Sequence, residues 1–445
     1  MSKLWDKGIP VNKLVEQFTV GNDREMDLML AASDVLGSLA HIRMLRTINL
    51  LTEDELKILS KELVEIYKVI QSGHFIIEDG VEDVHSQVEM LLTKKLGDVG
   101  KKIHSGRSRN DQVLVDIRLY LRDEIMQITP LVKNLFDTLI SQSEKYKNAL
   151  IPGYTHFQVA MPSSFGLWFG AYAESLSDDM ILMNSAFRII NQNPLGSAAG
   201  YGSSFPLNRT MTTKLLGFED LSYNVVYAQM GRGKSEKTLA FAMSSVAATL
   251  AKMSMDMCLF LCQNFAFCSF PEELTTGSSI MPHKKNPDVF ELIRAKCNRL
   301  QALPNDIAMM TTNLPSGYHR DLQILKESLF PAIQSLKDCL AIADMMLGKI
   351  IVNENVIKDE KYKYCFSVEE VNKLVLQGVP FRDAYKKVGE QIQAGNFKPD
   401  TTVKHTHEGS IGNLCNTEIR KKMDKTLSSF DLSVISKAVN DLIHI

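Results

Sequence analysis

The sequence predicts an all-α protein that is organised around a long helical bundle. Three observations support this prediction: apolar residues recur at helical spacing over long stretches, the alternating Val, Ile and Thr runs typical of strands are scarce, and proline is rare. Only 14 of the 445 residues are proline, below the usual share of about 5%. Long helices with few breakers favour a bundle.

The clearest predicted helix starts near Asp111 and continues beyond Pro130. Its apolar residues are three or four positions apart, which places them on one face of an α-helix. We expect Pro130 to kink this helix rather than to end it, because the apolar period continues beyond it. The residues of the stripe are Leu114, Ile117, Leu121, Ile125, Ile128, Val132, Leu135 and Leu139.

Three further segments show apolar residues at the same helical spacing, at residues 163–191, 234–267 and 288–310. The window 239–267 is the most apolar of the chain, but it contains Lys252 and Asp256. The centre of a membrane span is expected to exclude such charges. We therefore interpret this window as a buried bundle helix and expect no membrane contact.

The length of the chain and the changing spacing of its apolar residues predict three domains. We assign residues 1–107 to an N-terminal helical domain, residues 108–355 to a central domain of long helices, and residues 356–445 to a small C-terminal helical domain. The last boundary rests on a change, near residues 353–359, to shorter helices separated by polar turns.

The composition of the chain limits the kinds of binding partner and the cellular compartment that we expect. The formal net charge is −2, which gives no electrostatic basis for binding nucleic acid or an anionic membrane. The seven cysteines include no CxxC pair and no Cys/His cluster, so we expect no metal site and no cofactor. Their odd number, and an N-terminus without an apolar signal segment, predict reduced thiols in the cytoplasm.

The polar segment GSSIMPHKKNP, residues 277–287, is the most informative stretch of the sequence. It combines a turn-forming glycine, two hydroxyls, a mobile ammonium and an amide, which are Gly277, Ser278, Ser279, Lys284 and Asn286. This combination is typical of a site that binds a small carboxylated molecule and stabilises additional negative charge. The alternative is a polar surface loop that ends in an Asn-Pro turn.

A second cluster, HSGRSRNDQ at residues 104–112, precedes the long predicted helix. Its arginines can hold a carboxylate bidentately, and the helix N-terminus adds positive potential. Alternatively, Asn110 or Asp111 is simply the N-cap of the helix, and both functions are compatible.

Two more clusters lie between predicted helices. PGYTHFQ, residues 152–158, contains His156 as a candidate general acid or base, although a lone histidine is more often structural. NLPSGYHRDLQ, residues 313–323, offers Tyr318 and Gln323 to a polar substrate, with Lys326 soon after. The alternative for this cluster is a loop followed by a solvated helix face.

Together, in this order, the clusters resemble the fumarase/aspartase superfamily and, within it, the argininosuccinate lyase family. Residues 277–287 match the GSSxMPxKxNP pattern of the superfamily, and HSGRSRNDQ is similar to the version in the argininosuccinate lyase family rather than in fumarases or adenylosuccinate lyases. Other similar segments are YTHFQ, Asp83-Val84-His85, DVLGSLA at residues 34–40 and Lys3-Leu4-Trp5. The resemblance spans essentially the whole chain.

The resemblance implies a three-domain fumarase/aspartase-like fold whose central bundle forms the core of a homotetramer, with sites shared between subunits. It implies cleavage of argininosuccinate to arginine and fumarate, the last step of arginine biosynthesis. Ser278 then corresponds to the base that removes the Cβ proton, His156 to the catalytic histidine, and Glu291 to its partner. Lys284 and Asn286 correspond to groups that contact the fumarate half. A serine base needs activation, for which the candidates are Lys284, the loop N–H groups and a closure that expels water.

The remaining matched positions are those that bind substrate. They are Ser108, Arg109, Asn110, Thr155, Tyr318, Gln323 and Lys326, with His85 as a weaker match.

The sequence departs from the family pattern in three places, which bear on contacts to the guanidino side of the substrate. Asp23 stands where family members often carry a substrate-contacting serine, only Arg232 matches within residues 230–234, and the usual GGRF is missing after Trp5. The alternatives are another fumarate-releasing lyase such as adenylosuccinate lyase, an inactive homologue with a structural role like the lens δ-crystallins, and a helical binding scaffold.

Overall fold

The computed structural model describes residues 12–444, which form long helices packed side by side. The all-α prediction is confirmed. The Lys3-Leu4-Trp5 segment of the resemblance lies outside the described residues.

The helices fall into three groups along the chain. The N-terminal helices are α1 (Lys13–Val20), α2 (Asp23–Leu28), α3 (Ala31–Thr47), α4 (Glu53–Gln71), α5 (Val84–Leu96) and α6 (Asp98–Lys101). The central helices are α7 (Arg109–Lys145), α8 (Phe165–Ile190), α9 (Arg209–Leu215), α10 (Val225–Met230), α11 (Lys234–Leu261), α12 (Asp288–Leu300), α13 (Leu303–Met310) and α14 (Leu325–Gly348). The C-terminal helices are α15 (Ser367–Leu376), α16 (Phe381–Gln393), α17 (Asn416–Leu427) and α18 (Leu432–Ile443). Short 3₁₀ helices lie at Lys102–His104, Glu272–Leu274, Arg320–Ile324, Val356–Lys358 and Glu360–Phe366.

Within residues 12–444 the strands form three two-stranded sheets. The strands are β1 (Leu150–Thr155), β2 (Gln158–Ser164), β3 (Gln192–Asn193), β4 (Asp220–Leu221), β5 (Cys268–Ser269) and β6 (Ile351–Val352). β1 and β2 form an antiparallel hairpin in which Thr155 lies opposite Gln158. β3 pairs with β4 in parallel, and β5 pairs with β6 in antiparallel orientation.

Helix α7 spans 37 residues and is the scaffold for the rest of the bundle. All eight residues of the predicted apolar stripe are buried, and Pro130 lies inside the helix without ending it, as predicted. At 1.5 Å per residue, α7 extends about 55 Å. The segments that flank its two ends are therefore held far apart.

The central helices bury one another around α7. α7 packs against α8 and α14, and α11 packs against α8 and α12. Within the described part of the chain, α11 is the one helix long and apolar enough to cross a membrane by length and composition. However, 61% of its most apolar window is buried inside the protein, which fits the predicted bundle helix.

Two of the predicted helical segments differ from the helices in the structure. The segment 234–267 stops at Leu261, because Cys262 takes an extended conformation. The segment 288–310 divides into α12 and α13. Pro304 lies in the first turn of α13 and has no N–H with which to continue the hydrogen bonds of α12.

Buried apolar side chains form one large cluster in the bundle, a second cluster among α3, α4, α5 and the start of α7, and a small third cluster in α15 and α16. α18 packs against α3 and α9, and Leu442 belongs to the second cluster. The C-terminal helix thus returns to the N-terminal helices. The proposed boundaries after residues 107 and 355 stay a prediction.

Leu135 is fully buried on α7, so truncating it leaves a cavity in the bundle. We expect Leu135→Ala to lower the free energy of unfolding by about 2–5 kcal/mol, measured by guanidinium unfolding at a fixed protein concentration. Leu376→Ala is the matched control, because Leu376 is 89% exposed and its truncation should change stability little. Equal stability of the two variants would contradict the buried position of Leu135.

Candidate functional site

A cavity of about 880 Å³ opens beside the first turn of α7. Its walls come from α2, from α5 and the segment before it, from the start of α7, and from residues 318–326. Seven of the predicted substrate-binding residues line it: His85, Ser108, Arg109, Asn110, Tyr318, Gln323 and Lys326. The structure therefore brings together residues that lie up to 241 positions apart in the sequence, from His85 to Lys326.

A capping box fixes the first turn of α7. The Ser108 hydroxyl accepts a hydrogen bond from the Asn110 N–H at 3.3 Å, and the Asp111 carboxylate accepts one from the Ser108 N–H at 2.8 Å. Ser108 is the N-cap, rather than Asn110 or Asp111, and the expectation for those two is wrong on this point. The second Asp111 oxygen accepts bonds from the N–H groups of Gly196 and Ala198 at 2.9 and 3.0 Å. Asp111 thus anchors a neighbouring loop to the helix start.

Arg109 is held in place at the cavity wall by the start of α5. Its Nε lies 3.2 Å from Oδ2 of Asp83, and its Nη2 donates to the Ser86 hydroxyl at 2.9 Å. Asp83 is also the N-cap of α5 and accepts from the Ser86 N–H at 2.7 Å. The guanidinium is therefore fixed in position before any ligand binds.

The N-terminal helices contact the wall of the cavity that is formed by residues 318–326. The buried Lys326 ammonium forms ion pairs with Asp23, at 2.6 Å, and with Asp27. The Gln323 amide donates to the Thr19 carbonyl at 3.0 Å. Asp23, which departs from the family pattern, is thus a direct partner of a predicted substrate-binding lysine.

His85 belongs to a buried charged cluster behind the cavity. Its Nδ1 lies 2.7 Å from Oδ1 of Asp34 and 3.3 Å from Oδ2 of Asp116. Burial acts to raise the pKa of Asp34, but the charge and hydrogen bond of His85 lower it on balance. Burial, followed by the repulsion of Asp34, raises the pKa of Asp116 well above its ordinary value.

Asp34, His85 and Asp116 offer ligand atoms within 4.8 Å of one another, the spacing of a group that could hold a metal ion. The buried Arg107 already places a positive charge near both acids, and the Asp34–His85 contact is a short hydrogen bond. The Asp34–His85 hydrogen bond orients His85 at the cavity wall, whereas both carboxylate oxygens of Asp116 have no hydrogen-bond partner within the described residues.

Thr155 and His156 lie at the tip of the β1–β2 hairpin. His156 and Phe157 form the two-residue turn, with φ values of 53° and 56°. Two consecutive positive φ values characterise the type I′ turn, which favours Asn-Gly because other residues are strained there. The strained turn holds an exposed His156 at the outermost point of the hairpin. Because β1 begins shortly after the last residue of α7, this tip lies at the opposite end of that helix from the cavity.

The serine loop, residues 277–287, lies at the same end of the bundle as the hairpin. The Tyr154 ring of β1 packs edge-on against Phe265, and Phe270 contacts Phe290 at the start of α12. Ser278 Oγ accepts hydrogen bonds from the N–H groups of Met281 and Ile280, at 3.1 and 3.4 Å.

The base of the serine loop is closed by Asn286. Its side chain donates to the Gly277 carbonyl at 3.2 Å, and its backbone N–H donates to the Thr276 carbonyl at 2.9 Å. Lys285 pairs with Glu272 at 3.1 Å. Within residues 12–444, Lys284 forms no ion pair, so its charge is available to a ligand.

One chain therefore divides the predicted site residues between two ends of the bundle. Seven line the cavity, and six lie with the hairpin and the serine loop: Thr155, His156, Ser278, Lys284, Asn286 and Glu291. Glu291 is an exposed residue of α12, and within residues 12–444 no hydrogen bond or ion pair joins it to His156. Its pairing with that histidine stays a prediction.

Comparison with known proteins decides the family. A family model described as "Lyase" matches residues 7–302. The chain is 63% identical to argininosuccinate lyases of Bacteroides fragilis and Parabacteroides distasonis, over 441 and 442 residues, which cover 99% of this chain and of each relative. The chain belongs to the argininosuccinate lyase family. A member from Thermotoga neapolitana is 39% identical over 87% of this chain and 98% of its own length.

Solved structures of more distant proteins share the fold of this family member. An EDDS lyase in complex with formate superposes with a TM-score of 0.75 at 19% identity, covering 98% of this chain and 94% of its own. A class II fumarase from Schistosoma mansoni gives 0.68 at 15% identity, covering 95% and 97%. These superpositions confirm the fumarase/aspartase-like fold. The family model and the argininosuccinate lyase relatives confirm the lyase class.

The sequence did not reveal all the residues that shape the cavity of this family member. Asp27, Glu82 and Arg320 line it, and Arg320 contacts Glu82 at 3.3 Å. Asp27 lies one helical turn after Asp23, so both carboxylates face the same side of α2. The four-residue spacing was the feature of the sequence that could have indicated this pair of carboxylates. Their shared lysine lies 299 residues after Asp27, so its contact with them could not be predicted from spacing.

A buried histidine supports the 104–112 segment from behind. His41 of α3 is fully buried, and its Nε2 lies 2.9 Å from the Ser105 carbonyl, so Nε2 carries the proton and donates it. Nδ1 of His41 has no hydrogen-bond partner within the described structure. Burial, followed by repulsion from Arg107, lowers the pKa of His41 from 6.5 to about 3.

This depressed pKa predicts that acid weakens the fold. Between pH 6.5 and 3 the unfolded histidine binds a proton and the folded one does not, so stability is lost as the pH falls through this window. His41 alone should lower the free energy of unfolding by about 1.4 kcal/mol per pH unit there, measured by denaturant unfolding at pH 7, 6 and 5. His41→Gln should flatten this slope, whereas His74→Gln, at an exposed histidine, should not. An unchanged slope in His41→Gln would disprove the assignment.

Proposed function

We propose that the protein catalyses the reversible elimination of argininosuccinate to arginine and fumarate. The observation that carries this proposal is the convergence, in a member of the argininosuccinate lyase family, of seven predicted substrate-binding residues on one cavity. The cavity offers fixed cations to carboxylates, with Arg109 and Lys326 at different walls. The relatives favour this reaction over that of adenylosuccinate lyase.

Ser278 is the proposed base for the Cβ proton. A neutral hydroxyl is a weak base, so the site must stabilise its alkoxide. Two backbone N–H groups already point at Ser278 Oγ, and N–H donors favour a negatively charged oxygen. Lys284, which has no ion-pair partner within residues 12–444, would add a positive charge near the alkoxide or near the dianionic carboxylate of the intermediate.

His156 is the proposed general acid for the leaving guanidino nitrogen, directly or through water, with Glu291 raising its basicity. Thr155 and Asn286 are proposed to hold the substrate carboxylates. The strained turn supports this assignment, because it fixes His156 at the hairpin tip rather than in the core.

The two ends of the chain can act on one substrate only if different copies supply them. A bundle about 55 Å long cannot bend its ends together around a small molecule. We therefore propose a homotetramer in which the cavity of one subunit meets the hairpin and the serine loop of others. The long central helices carry exposed apolar side chains that support such an interface: Ile181, Leu182, Phe241, Met255 and Leu292.

We propose a cytoplasmic location. The seven cysteines all lie in the described part of the chain, and all are free thiols. Reduced thiols are typical of the cytoplasm.

The reaction is tested by incubating the purified protein with argininosuccinate and following fumarate by its ultraviolet absorbance. Ser278→Ala should lower kcat by about 10²- to 10⁴-fold, as expected for loss of a general base, with an unchanged circular dichroism spectrum. Ser279→Ala is the matched control and should retain most of its activity. Near-normal turnover by Ser278→Ala would exclude Ser278 as the base, and turnover of adenylosuccinate instead would replace the proposed substrate.

Sharing of sites between subunits predicts that two inactive variants restore each other. Ser278→Ala, which changes the serine loop, and Arg109→Gln, which changes the cavity at the other end of the bundle, are mixed, unfolded and refolded together, so that hybrid oligomers form. If the two residues of one site come from different subunits, about one quarter of the sites in a random equal mixture contain both native residues. Activity should then rise far above that of either variant refolded alone. Hybrid oligomers that stay inactive would contradict the shared site.

A further inference from the structure

Two carboxylates share one ammonium at the wall of the cavity. Lys326 Nζ lies 2.6 Å from Oδ1 of Asp23 and also contacts Oδ1 of Asp27. Asp27 and Lys326 are each 3% exposed at the side chain, whereas Asp23 is 17% exposed. All three residues line the cavity, and Asp23 is the most exposed of them.

The neighbouring cations are paired with other carboxylates, and the attraction of Arg232 on Asp23 is weaker than the effects of Lys326 and Asp27. Arg232 is paired with Glu236 at 3.0 Å, Arg320 contacts Glu82 at 3.3 Å, and Arg109 contacts Asp83 at 3.2 Å. Two carboxylates and one ammonium thus leave a net charge of −1 in a partly buried place. Burial raises the pKa of Asp23 despite the pull of Lys326, and the nearby Asp27 adds to the rise. A second cation placed against Asp23 would relieve this unfavourable charge.

The substrate of the proposed reaction carries such a cation beside an anion. The amino-acid end of argininosuccinate has an α-ammonium and an α-carboxylate on the same carbon, and Asp23 and Lys326 present the complementary pair of charges 2.6 Å apart. Binding would replace one internal ion pair by two pairs with the ligand, and Asp27 would keep Lys326 charged and in place.

We propose that Asp23 is a specificity-determining residue: its carboxylate receives the α-ammonium of the amino-acid end while Lys326 receives the α-carboxylate. The proposal rests on the proposed function, since it assigns one end of that substrate to a position in the cavity. It makes the site selective for an α-amino acid over a guanidino acid that lacks the amino group.

Asp23→Asn tests this assignment, because it removes the charge and keeps the shape. Binding of L-arginine and of 5-guanidinopentanoate, which has hydrogen in place of the ammonium, is measured by calorimetry on the assembled protein. The variant should bind arginine about ten-fold or more weakly, the usual range for a lost charged hydrogen bond. Its affinity for 5-guanidinopentanoate should stay the same or rise, because Asp23 no longer competes for Lys326.

One control variant and a second Asp23 variant make the result decisive. Asp359→Asn removes an exposed carboxylate that pairs with Lys361 at 3.0 Å, and it should leave both affinities unchanged. Asp23→Ala is the second variant should Asp23→Asn unfold, and it should lose the preference for arginine in the same way. Equal loss of both ligands in either Asp23 variant would overturn the proposal, because Asp23 would then only position Lys326.

The wild-type protein separates this inference from the proposed function. Wild-type cleavage of argininosuccinate together with an unchanged preference for arginine in Asp23→Asn would overturn the inference alone. A folded, assembled wild-type protein that does not cleave argininosuccinate would overturn both.

Discussion

The length and stiffness of α7 are the constraint on which the other features depend. Its first residues form one wall of the cavity, its apolar stripe is the centre of the bundle, and its last turn leads into the hairpin. A helix of 37 residues cannot fold back on itself, so groups at its two ends act at places separated by tens of ångströms. The burial that makes the bundle stable also keeps the cavity of one chain apart from its own hairpin and serine loop, and this separation is the basis of the proposed shared site.

Charged residues continue along α7 beyond its first turn and are buried there. Arg118 donates to carbonyls at the end of α8, and Arg122 donates to the Leu216 and Gly217 carbonyls. Because carbonyls carry only partial charge, such contacts do not neutralise the guanidinium groups, and burial lowers the pKa of both arginines. The buried Nε of Arg118 has no hydrogen-bond partner within the described residues. These contacts fix the register of α7 against the 190–217 segment. The cavity wall is rigid for the same reason, because Asp111 joins the 190–217 segment to the first turn of α7.

Much of the scaffold could be predicted from sequence, because a helix is encoded locally. The stripe from Leu114 to Leu139 specifies α7, and polar clusters between apolar periods mark the loops. The break at Gln301 was missed because the apolar period continues across it. The contact between Asp23 and Lys326 was also missed, since it depends on tertiary packing of α2 against α14. The turn at His156-Phe157 lacks the glycine or asparagine by which such turns are recognised.

At that same turn, conformational stability opposes the catalytic role proposed for His156. Each of its two residues occupies a left-handed conformation that costs a non-glycine residue of the order of 1 kcal/mol or more. A hairpin selected for stability alone would carry Asn-Gly at these positions, and the imidazole would be absent. Replacing these two residues by Asn-Gly to increase thermal stability would therefore stabilise the hairpin but remove His156. With the role proposed for His156, thermal stability at the tip of β1–β2 is a poor guide to a working protein.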